Sequence, residues 1–332
     1  MANAMRNLVE EGWTARDWLG RGEEIRKTVL KYIGAPPTIS VPPPHHRVLE
    51  KVSAESYEQL KIAYDVEEGE EVRAWLLTPP KQKRRYGSAV LCLHGTSEEA
   101  KDTQIGAGKK PGRDFGRMLA LEGFITLSPD HCCSGERLPR GDQPYDSHSF
   151  YERHPEWSMV GKAIWDGQRA LDVLCNCDGV DAQRLGVVGH SLGGQGAIFV
   201  GAFDERVKAA VSSCGIVPTW AENPKRMNFA RDQWYRYVPK LKEPFERGEV
   251  PFDLYELAAL MAPRAFLNIS GMMDPTYGRN DALGEMGEKL AAVWRVMGKP
   301  DAFANLLLGG GHDVPVVSRK AALGWMQQWL CG

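Results

Sequence analysis

Short, continuous apolar runs are the feature that most restricts the fold of this chain. They occur at residues 89–93, 124–127, 185–188, 209–211, 265–269 and 303–308. Continuous rather than alternating apolar runs indicate strands covered on both faces, as in a parallel sheet wrapped by helices. Helices are expected between the runs, near residues 114–122, 159–175, 192–202, 279–297 and 318–330. The pattern therefore predicts an α/β domain.

The N-terminal part of the chain follows other patterns. Residues 1–33 have apolar side chains at helical spacing and predict a helical arm, and prolines crowd a linker that ends at residue 46. From about Tyr57, alternating apolar residues on both sides of a turn predict an antiparallel hairpin at the sheet edge. We expect one domain over residues 47–332, with a mostly parallel, eight-stranded, doubly wound sheet.

Two connections, at about residues 130–158 and 217–257, are too long to be simple turns. The second is rich in aromatic residues, including Trp220 and Trp234. Aromatic residues at this density suit a cap over a pocket, but they suit a dimer surface or a covering of the core equally well. All three interpretations stay open at this point.

The segment Gly-His-Ser-Leu-Gly at residues 189–193 lies between an apolar run and a stretch of small, helix-compatible residues. A serine on a sharp strand-to-helix turn is exposed as a nucleophile, and glycines two positions away avoid collision between strand and helix. The pentapeptide alone is common in ordinary loops. Its position between a predicted strand and a predicted helix favours Ser191 as a nucleophile.

A serine nucleophile needs a base, and the base needs a partner that orients it. Asp274 follows the run at residues 265–269, and His312 follows the last run on a glycine-rich loop. Asp281 and Asp313 are the other candidate carboxylates, one at the start of a predicted helix and one adjoining His312. The order Ser191, Asp274, His312 differs from the orders of chymotrypsin and subtilisin.

The backbone of two loops is expected to stabilise an oxyanion. The N–H of Leu192 would supply one donor, and that of Thr96 or Gly95, after the strand at residues 89–93, would supply the other. The side chains that we expect around the substrate are those of His94, His190, Trp220 and Trp234.

These segments together resemble the α/β-hydrolase superfamily, and within it the dienelactone hydrolase and acetyl xylan esterase group. The residues that carry the resemblance are His94-Gly95, Asp130 with Gly135-Glu-Arg137, Val180-Asp181, the segment around Ser191, Ser270 to Asp274, and Gly311-His312-Asp-Val-Pro. The resemblance covers about residues 57–330 and implies an α/β-hydrolase fold. Dienelactone hydrolases use a cysteine nucleophile, so their lactone reaction is not implied here.

The combined features predict a serine hydrolase that cleaves carboxylic esters through an acyl-enzyme, such as a deacetylase of sugars or of other small esters. Ser191 would attack, His312 would act as the base and Asp274 would orient it. One alternative is a prolyl-oligopeptidase-like peptidase or amidase, although no propeller repeat is present. Another is a ligand-binding protein that keeps the fold without catalysis.

Composition excludes other classes of function. The formal net charge is −2 and the one basic cluster is short, so no nucleic-acid surface is expected. No run is long and apolar enough for a membrane segment or a secretory signal, which favours a cytoplasmic protein. The seven cysteines are scattered and lack the spacing of a zinc site, so neither a metal nor another cofactor is expected. The N-terminal arm is a candidate contact for a homo-oligomer.

Overall fold

The computed structural model describes residues 5–36, 45–54, 56–221, 228–276 and 281–332, and these contain a single mixed sheet. The strands of this described part are β1 His46–Ser53, β2 Glu58–Glu67, β3 Glu70–Thr78, β4 Ala89–Leu93, β5 Ile125–Pro129, β6 Leu185–His190, β7 Val207–Ser213, β8 Ala265–Gly271 and β9 Phe303–Leu308. Their order across the sheet is β1-β2-β3-β5-β4-β6-β7-β8-β9. The linker prolines within residues 37–44 lie outside the described residues.

Strand direction divides the sheet into two parts. The strands β1, β2 and β3 are antiparallel, and β3 joins antiparallel to β5. From β5 through β9 all neighbours are parallel. The mostly parallel sheet with an antiparallel N-terminal edge is thus confirmed. Strands β4, β5, β6 and β8 are buried along their whole length, as their continuous apolar sequences predict.

The described residues form nine strands, so the prediction of eight was wrong by one. The additional strand is β1, at the start of the segment that follows the prolines. Its apolar side chains are not buried: Val48 is 52% exposed and Val52 is 36% exposed. An edge strand with little burial has no apolar pattern that would reveal it, because its backbone pairing with β2 holds it in place.

The helices that cover the sheet are α1 Ala15–Ile33, α2 Phe115–Leu121, α3 His148–Arg153, α4 Met159–Cys175, α5 Leu192–Phe203, α6 Lys242–Glu246, α7 Leu254–Ala259, α8 Ala282–Val296 and α9 Val316–Cys331. All five helices predicted between the apolar runs are present. The predicted start of α8 at residue 279 lies outside the described residues. No helix in the described ranges combines the length and the apolar character that crossing a bilayer requires.

Helix α1 packs on the rest of the chain. It begins after Thr14, where a capping box with Asp17 satisfies free N–H groups, and not near residue 1. Its buried face includes Trp18 and Val29, which belong to the same hydrophobic cluster as the sheet. Helices α4, α7 and α8 are its neighbours. The division at residue 46 and the oligomer contact through this segment stay predictions.

A buried charged network joins the antiparallel edge to the first long connection. The Lys162 ammonium group on α4 forms ion pairs with Glu67, Glu70 and Asp166. The Arg137 guanidinium group, in the connection after β5, pairs with Glu70 and Asp166 as well. Buried charges are tolerated when each has several opposite partners. The network therefore anchors the connection that carries part of the site described next.

Candidate active site

Ser191 occupies a sharp turn between β6 and α5. Its φ of 58° and ψ of −120° lie in a backbone region that residues other than glycine rarely adopt. A Cβ on Gly189 would lie 2.2 Å from the Gly193 carbonyl oxygen, and a Cβ on Gly193 would lie 2.1 Å from that of Leu93. Only glycine fits at both positions. The pentapeptide is therefore a strained strand-to-helix turn, as its sequence predicts.

Three side chains from three different loops meet at this turn. The Nε2 atom of His312 lies 2.8 Å from the Ser191 hydroxyl oxygen, and its Nδ1 atom lies 2.6 Å from Oδ2 of Asp274. The other carboxylate oxygen accepts the N–H of Thr276 at 2.8 Å. Burial opposes ionisation of the carboxyl, but the hydrogen bond and charge of His312 outweigh it, so the pKa of Asp274 lies below its ordinary value.

The structure also separates the three candidate carboxylates. The His312 imidazole directs Nδ1 to Asp274, which is buried in the loop directly after β8. Asp281 takes the position that precedes the first residue of α8. Asp313 is exposed beside His312 in sequence. Sequence reasoning left these alternatives open, and the fold brings Asp274 to the imidazole.

A cleft of about 340 Å³ opens beside the Ser191 hydroxyl group. Its wall includes Thr96 from the loop after β4, together with Arg231, Trp234 and Tyr237 from the second long connection. This size is enough for a small substrate in contact with the nucleophile. The prediction that Trp234 faces the pocket is in agreement with this lining.

The two long connections meet over the site. The Ser147 hydroxyl donates to the Trp234 carbonyl oxygen at 2.8 Å and accepts the Arg236 N–H at 3.0 Å. The Trp234 indole N–H donates to the Pro144 carbonyl oxygen at 2.9 Å. The aromatic connection is thus a cover for the cleft that is hydrogen-bonded to the first connection. The structure describes the backbone of Trp220 but not its side chain, so the predicted place of that side chain in the pocket stays a prediction.

Similarity to known proteins agrees with this geometry. A family model described as glucuronyl esterase, fungi, matches residues 141–298. The protein named "Putative hydrolase YtaP" of Bacillus subtilis is 28% identical over 258 residues, which cover 76% of this chain and 81% of that protein. A solved structure of a glucuronoyl esterase from Solibacter usitatus superimposes with a TM-score of 0.73 at 19% identity, covering 98% of each chain.

These similarities show that the chain has an α/β-hydrolase fold. A 4-O-methyl-glucuronoyl methylesterase of Podospora anserina is 29% identical over 186 residues, which cover 48% of this chain and 37% of that relative's length. With the matching family model, these relatives identify the hydrolase as a carboxylic ester hydrolase.

The loop after β4 approaches the turn of the hydrolase closely. A Cβ on Gly95 would lie 3.0 Å from the His190 carbonyl oxygen and 3.4 Å from the Ser191 Cβ. Thr96 and Leu192 line the same cleft as Ser191. The structure therefore brings together the two loops that sequence reasoning selected for oxyanion stabilisation.

Tyr145 supports this loop and was missed by sequence reasoning. Its hydroxyl accepts the Ser97 N–H at 2.9 Å and lies 2.7 Å from the Ser97 carbonyl oxygen, to which it donates. Burial is the main reason that the pKa of Tyr145 is raised to about 12, so the hydroxyl keeps its proton. The chain places Tyr145 almost fifty residues from this loop, and no local pattern signals the contact.

The prediction that His94 and His190 line the pocket is wrong, because both side chains are buried behind it. Burial lowers the pKa of His94 to about 4, and its Nε2 atom accepts the His131 N–H at 3.1 Å. The Nδ1 atom of His190 lies 3.0 Å from the Ser213 hydroxyl oxygen, and its ring packs 4.8 Å from that of His312. Both are neutral groups that support loops.

The grouping of metal-ligand side chains in the described ranges is Cys214, Asp274 and His312. Two of these three already hydrogen-bond to one another, and burial raises the pKa of the Cys214 thiol to about 12. A protonated thiol is a poor metal ligand. The grouping therefore fits the proton-transfer geometry better than a resident metal ion.

Proposed function

We propose that the enzyme cleaves esters by a serine mechanism with an acyl-enzyme intermediate. The observation that carries the proposal is the chain of contacts from the Ser191 hydroxyl through His312 to Asp274. The Nε2 atom of His312 takes the hydroxyl proton as the oxygen attacks the ester carbonyl carbon, and then gives it to the leaving alcohol. In the second half, His312 activates a water molecule that releases the acid.

Asp274 orients the imidazole and stabilises its charged form. Because its carboxyl has a lowered pKa, it is ionised at neutral pH and accepts the Nδ1 proton of His312. The tautomer with the proton on Nδ1 leaves Nε2 free to accept from Ser191. The N–H groups of Leu192 and Thr96 are proposed to stabilise the developing oxyanion, since both residues border the cleft at Ser191.

For the substrate, we propose a short ester of a carbohydrate acid, such as a uronic acid methyl ester. The names of the curated methylesterases and of the matching family model support this choice. The cleft adjoins polar side chains, including Gln195 and Thr276, that suit sugar hydroxyls. An acetylated sugar is the second candidate, supported by a similar solved structure of a protein named as an acetyl xylan esterase.

The test compares wild type, Ser191→Ala and His312→Ala on methyl glucuronate, on p-nitrophenyl acetate and on an acetylated xylose. We expect both variants to lose at least about a thousandfold in kcat/KM. The exposed His148 supplies the matched control, since it does not belong to the described lining of the cleft, and we expect His148→Ala to keep full activity. Labelling of wild type by a fluorophosphonate, absent in Ser191→Ala, reports the nucleophile directly. Activity that persists in Ser191→Ala contradicts the proposal.

A further inference from the structure

Three cationic side chains line the cleft beside Ser191. Lys110 and Arg113 come from the loop before α2, and Arg231 comes from the second long connection. No aspartate or glutamate belongs to the described lining of this cleft. The serine mechanism proposed above uses none of the three charges.

These cations have no carboxylate partner within ion-pair distance among the residues that the structure describes. Lys109, which directly precedes Lys110, does have such partners. Its ammonium lies 2.8 Å from a Glu98 oxygen and 3.7 Å from a Glu99 oxygen. The exposed Asp313 carboxylate acts on Arg113 only through its longer-range charge. The local sequence thus pairs Lys109 with acids and leaves Lys110 facing the cleft.

Arg113 is a buried cation whose position is held by a hydrogen bond. The residue is only 8% exposed, and burial lowers its pKa. Its guanidinium donates to the His312 carbonyl oxygen at 3.0 Å, which positions it next to the proposed base. Burying a cation without an opposite charge is unfavourable. A bound anion would remove that cost.

Arg231 is oriented by aromatic rings. Its guanidinium lies 4.9 Å from the ring centre of Trp234 and 4.8 Å from that of Tyr237. The Tyr237 hydroxyl donates to Oε1 of Gln195 at 2.6 Å, and the Gln195 N–H donates to the Ser191 carbonyl oxygen. The position of Arg231 is thereby linked to the turn that carries the nucleophile.

We propose that Lys110, Arg113 and Arg231 form an anion subsite that recognises a carboxylate on the substrate, separate from the ester bond that is cleaved. This inference rests on the proposed function and specifies an ester with a second, free carboxylate, which a simple uronic acid methyl ester lacks because its only carboxyl group is esterified. Guanidinium groups bind carboxylates in a planar, two-point geometry, and the ammonium group adds attraction without a directional requirement. The anionic group anchors one end of the substrate while the ester lies at Ser191.

The test uses substrate pairs that differ in charge but hardly in shape. In the acyl arm, monomethyl succinate is compared with methyl 4-oxopentanoate, in which a ketone replaces the carboxylate. In the alcohol arm, 4-acetoxybenzoate is compared with 4-acetoxybenzamide. We expect the anionic member of at least one pair to have a kcat/KM higher by about tenfold or more, and the arm that responds identifies the side of the ester that carries the anion.

Variants then assign the preference to the cleft. We expect Lys110→Gln and Arg231→Gln each to lower the anionic-to-neutral ratio of kcat/KM by about fivefold or more, mainly through KM, and 0.5 M NaCl to reduce the wild-type ratio. Lys109→Gln is the control, because its exposed, paired ammonium lies outside the cleft lining, and it keeps the wild-type ratio.

A direct binding measurement separates this inference from the proposed function. Calorimetric titration of Ser191→Ala with succinate should show binding that weakens in Ser191→Ala/Arg231→Gln. Equal kcat/KM for charged and neutral members in both arms, or ratios unaffected by Lys110→Gln and Arg231→Gln, overturns the subsite while leaving the serine mechanism intact. Persistent activity in Ser191→Ala has the opposite meaning, since it overturns the mechanism and leaves the binding result standing.

Discussion

Replacing Asp274 by asparagine tests how the carboxylate controls the proton position on His312. One oxygen of Asp274 accepts the Thr276 N–H at 2.8 Å, and the other faces Nδ1 of His312 at 2.6 Å. The Thr276 N–H requires an acceptor, so the asparagine oxygen occupies the first position. The amide NH₂ group then faces Nδ1, which must become an acceptor.

This change places the imidazole proton on Nε2. That atom lies 2.8 Å from the Ser191 hydroxyl oxygen and, once protonated, is unable to take the hydroxyl proton. In a serine protease with the same arrangement, the corresponding substitution lowers kcat by about 10⁴, which corresponds to about 5 kcal/mol in the activation barrier. We expect a loss of that order for Asp274→Asn, with KM changed far less because the side chain has no place in the cleft lining.

The assay measures kcat and KM with p-nitrophenyl acetate for wild type, Asp274→Asn and Asp313→Asn, with circular dichroism to verify the fold. Asp313→Asn is the matched control, since it removes an exposed carboxylate next to His312 in sequence. It should change kcat by less than about threefold, as expected for an exposed charge in water. An Asp274→Asn enzyme within tenfold of wild type, or an equal loss in Asp313→Asn, would refute the reasoning.

Three further outcomes are expected from other parts of the structure. Tyr145→Phe removes the hydroxyl that holds Ser97, so the loop that carries a proposed oxyanion donor loses its support. We expect kcat to fall by about tenfold to a hundredfold at nearly constant KM. An unchanged kcat would exclude this role. Gly193→Ala places a Cβ 2.1 Å from the Leu93 carbonyl oxygen, so the turn must shift, and thermal unfolding should show a lower Tm together with lost fluorophosphonate labelling. Burial raises the pKa of Asp253 to about 7. The folded state therefore retains a proton that the unfolded chain releases above its ordinary pKa of about 4. Stability falls as the pH rises between these two pKa values. The Tm measured from pH 5 to pH 8 should fall in wild type and fall less in Asp253→Asn; equal slopes would contradict the assignment.

The interior strands of the sheet were predictable because buried positions require apolar residues, which are visible in the sequence. Strands covered on both faces need mostly apolar residues, and β4, whose five residues are all apolar and buried, is the clearest case. Strand β1 has no such requirement, since backbone hydrogen bonds to β2 hold it at an exposed edge. For this reason the apolar pattern does not reveal β1, the strand that the prediction of eight omitted.

Local sequence did not reveal which side chains near the site are buried. His94 and His190 adjoin the loops that form the cleft, and sequence position alone suggests that they line it. Their side chains turn inward, where burial lowers their pKa values and keeps them neutral, and hydrogen bonds tie them to His131 and Ser213. Tyr145 shows the converse, because a residue distant along the chain supports the loop at Ser97.

Local sequence was enough to predict the elements of the parallel sheet, the turn that exposes Ser191 and the two loops that carry Asp274 and His312. These depend on local rules of burial, glycine placement and the order of segments. The contact of Asp274 with the imidazole, and the position of Lys110, Arg113 and Arg231 around one cleft, became evident only in the folded chain. Such contacts join loops far apart in the chain, and their distances depend on how the sheet twists and how the helices pack, which no short segment encodes.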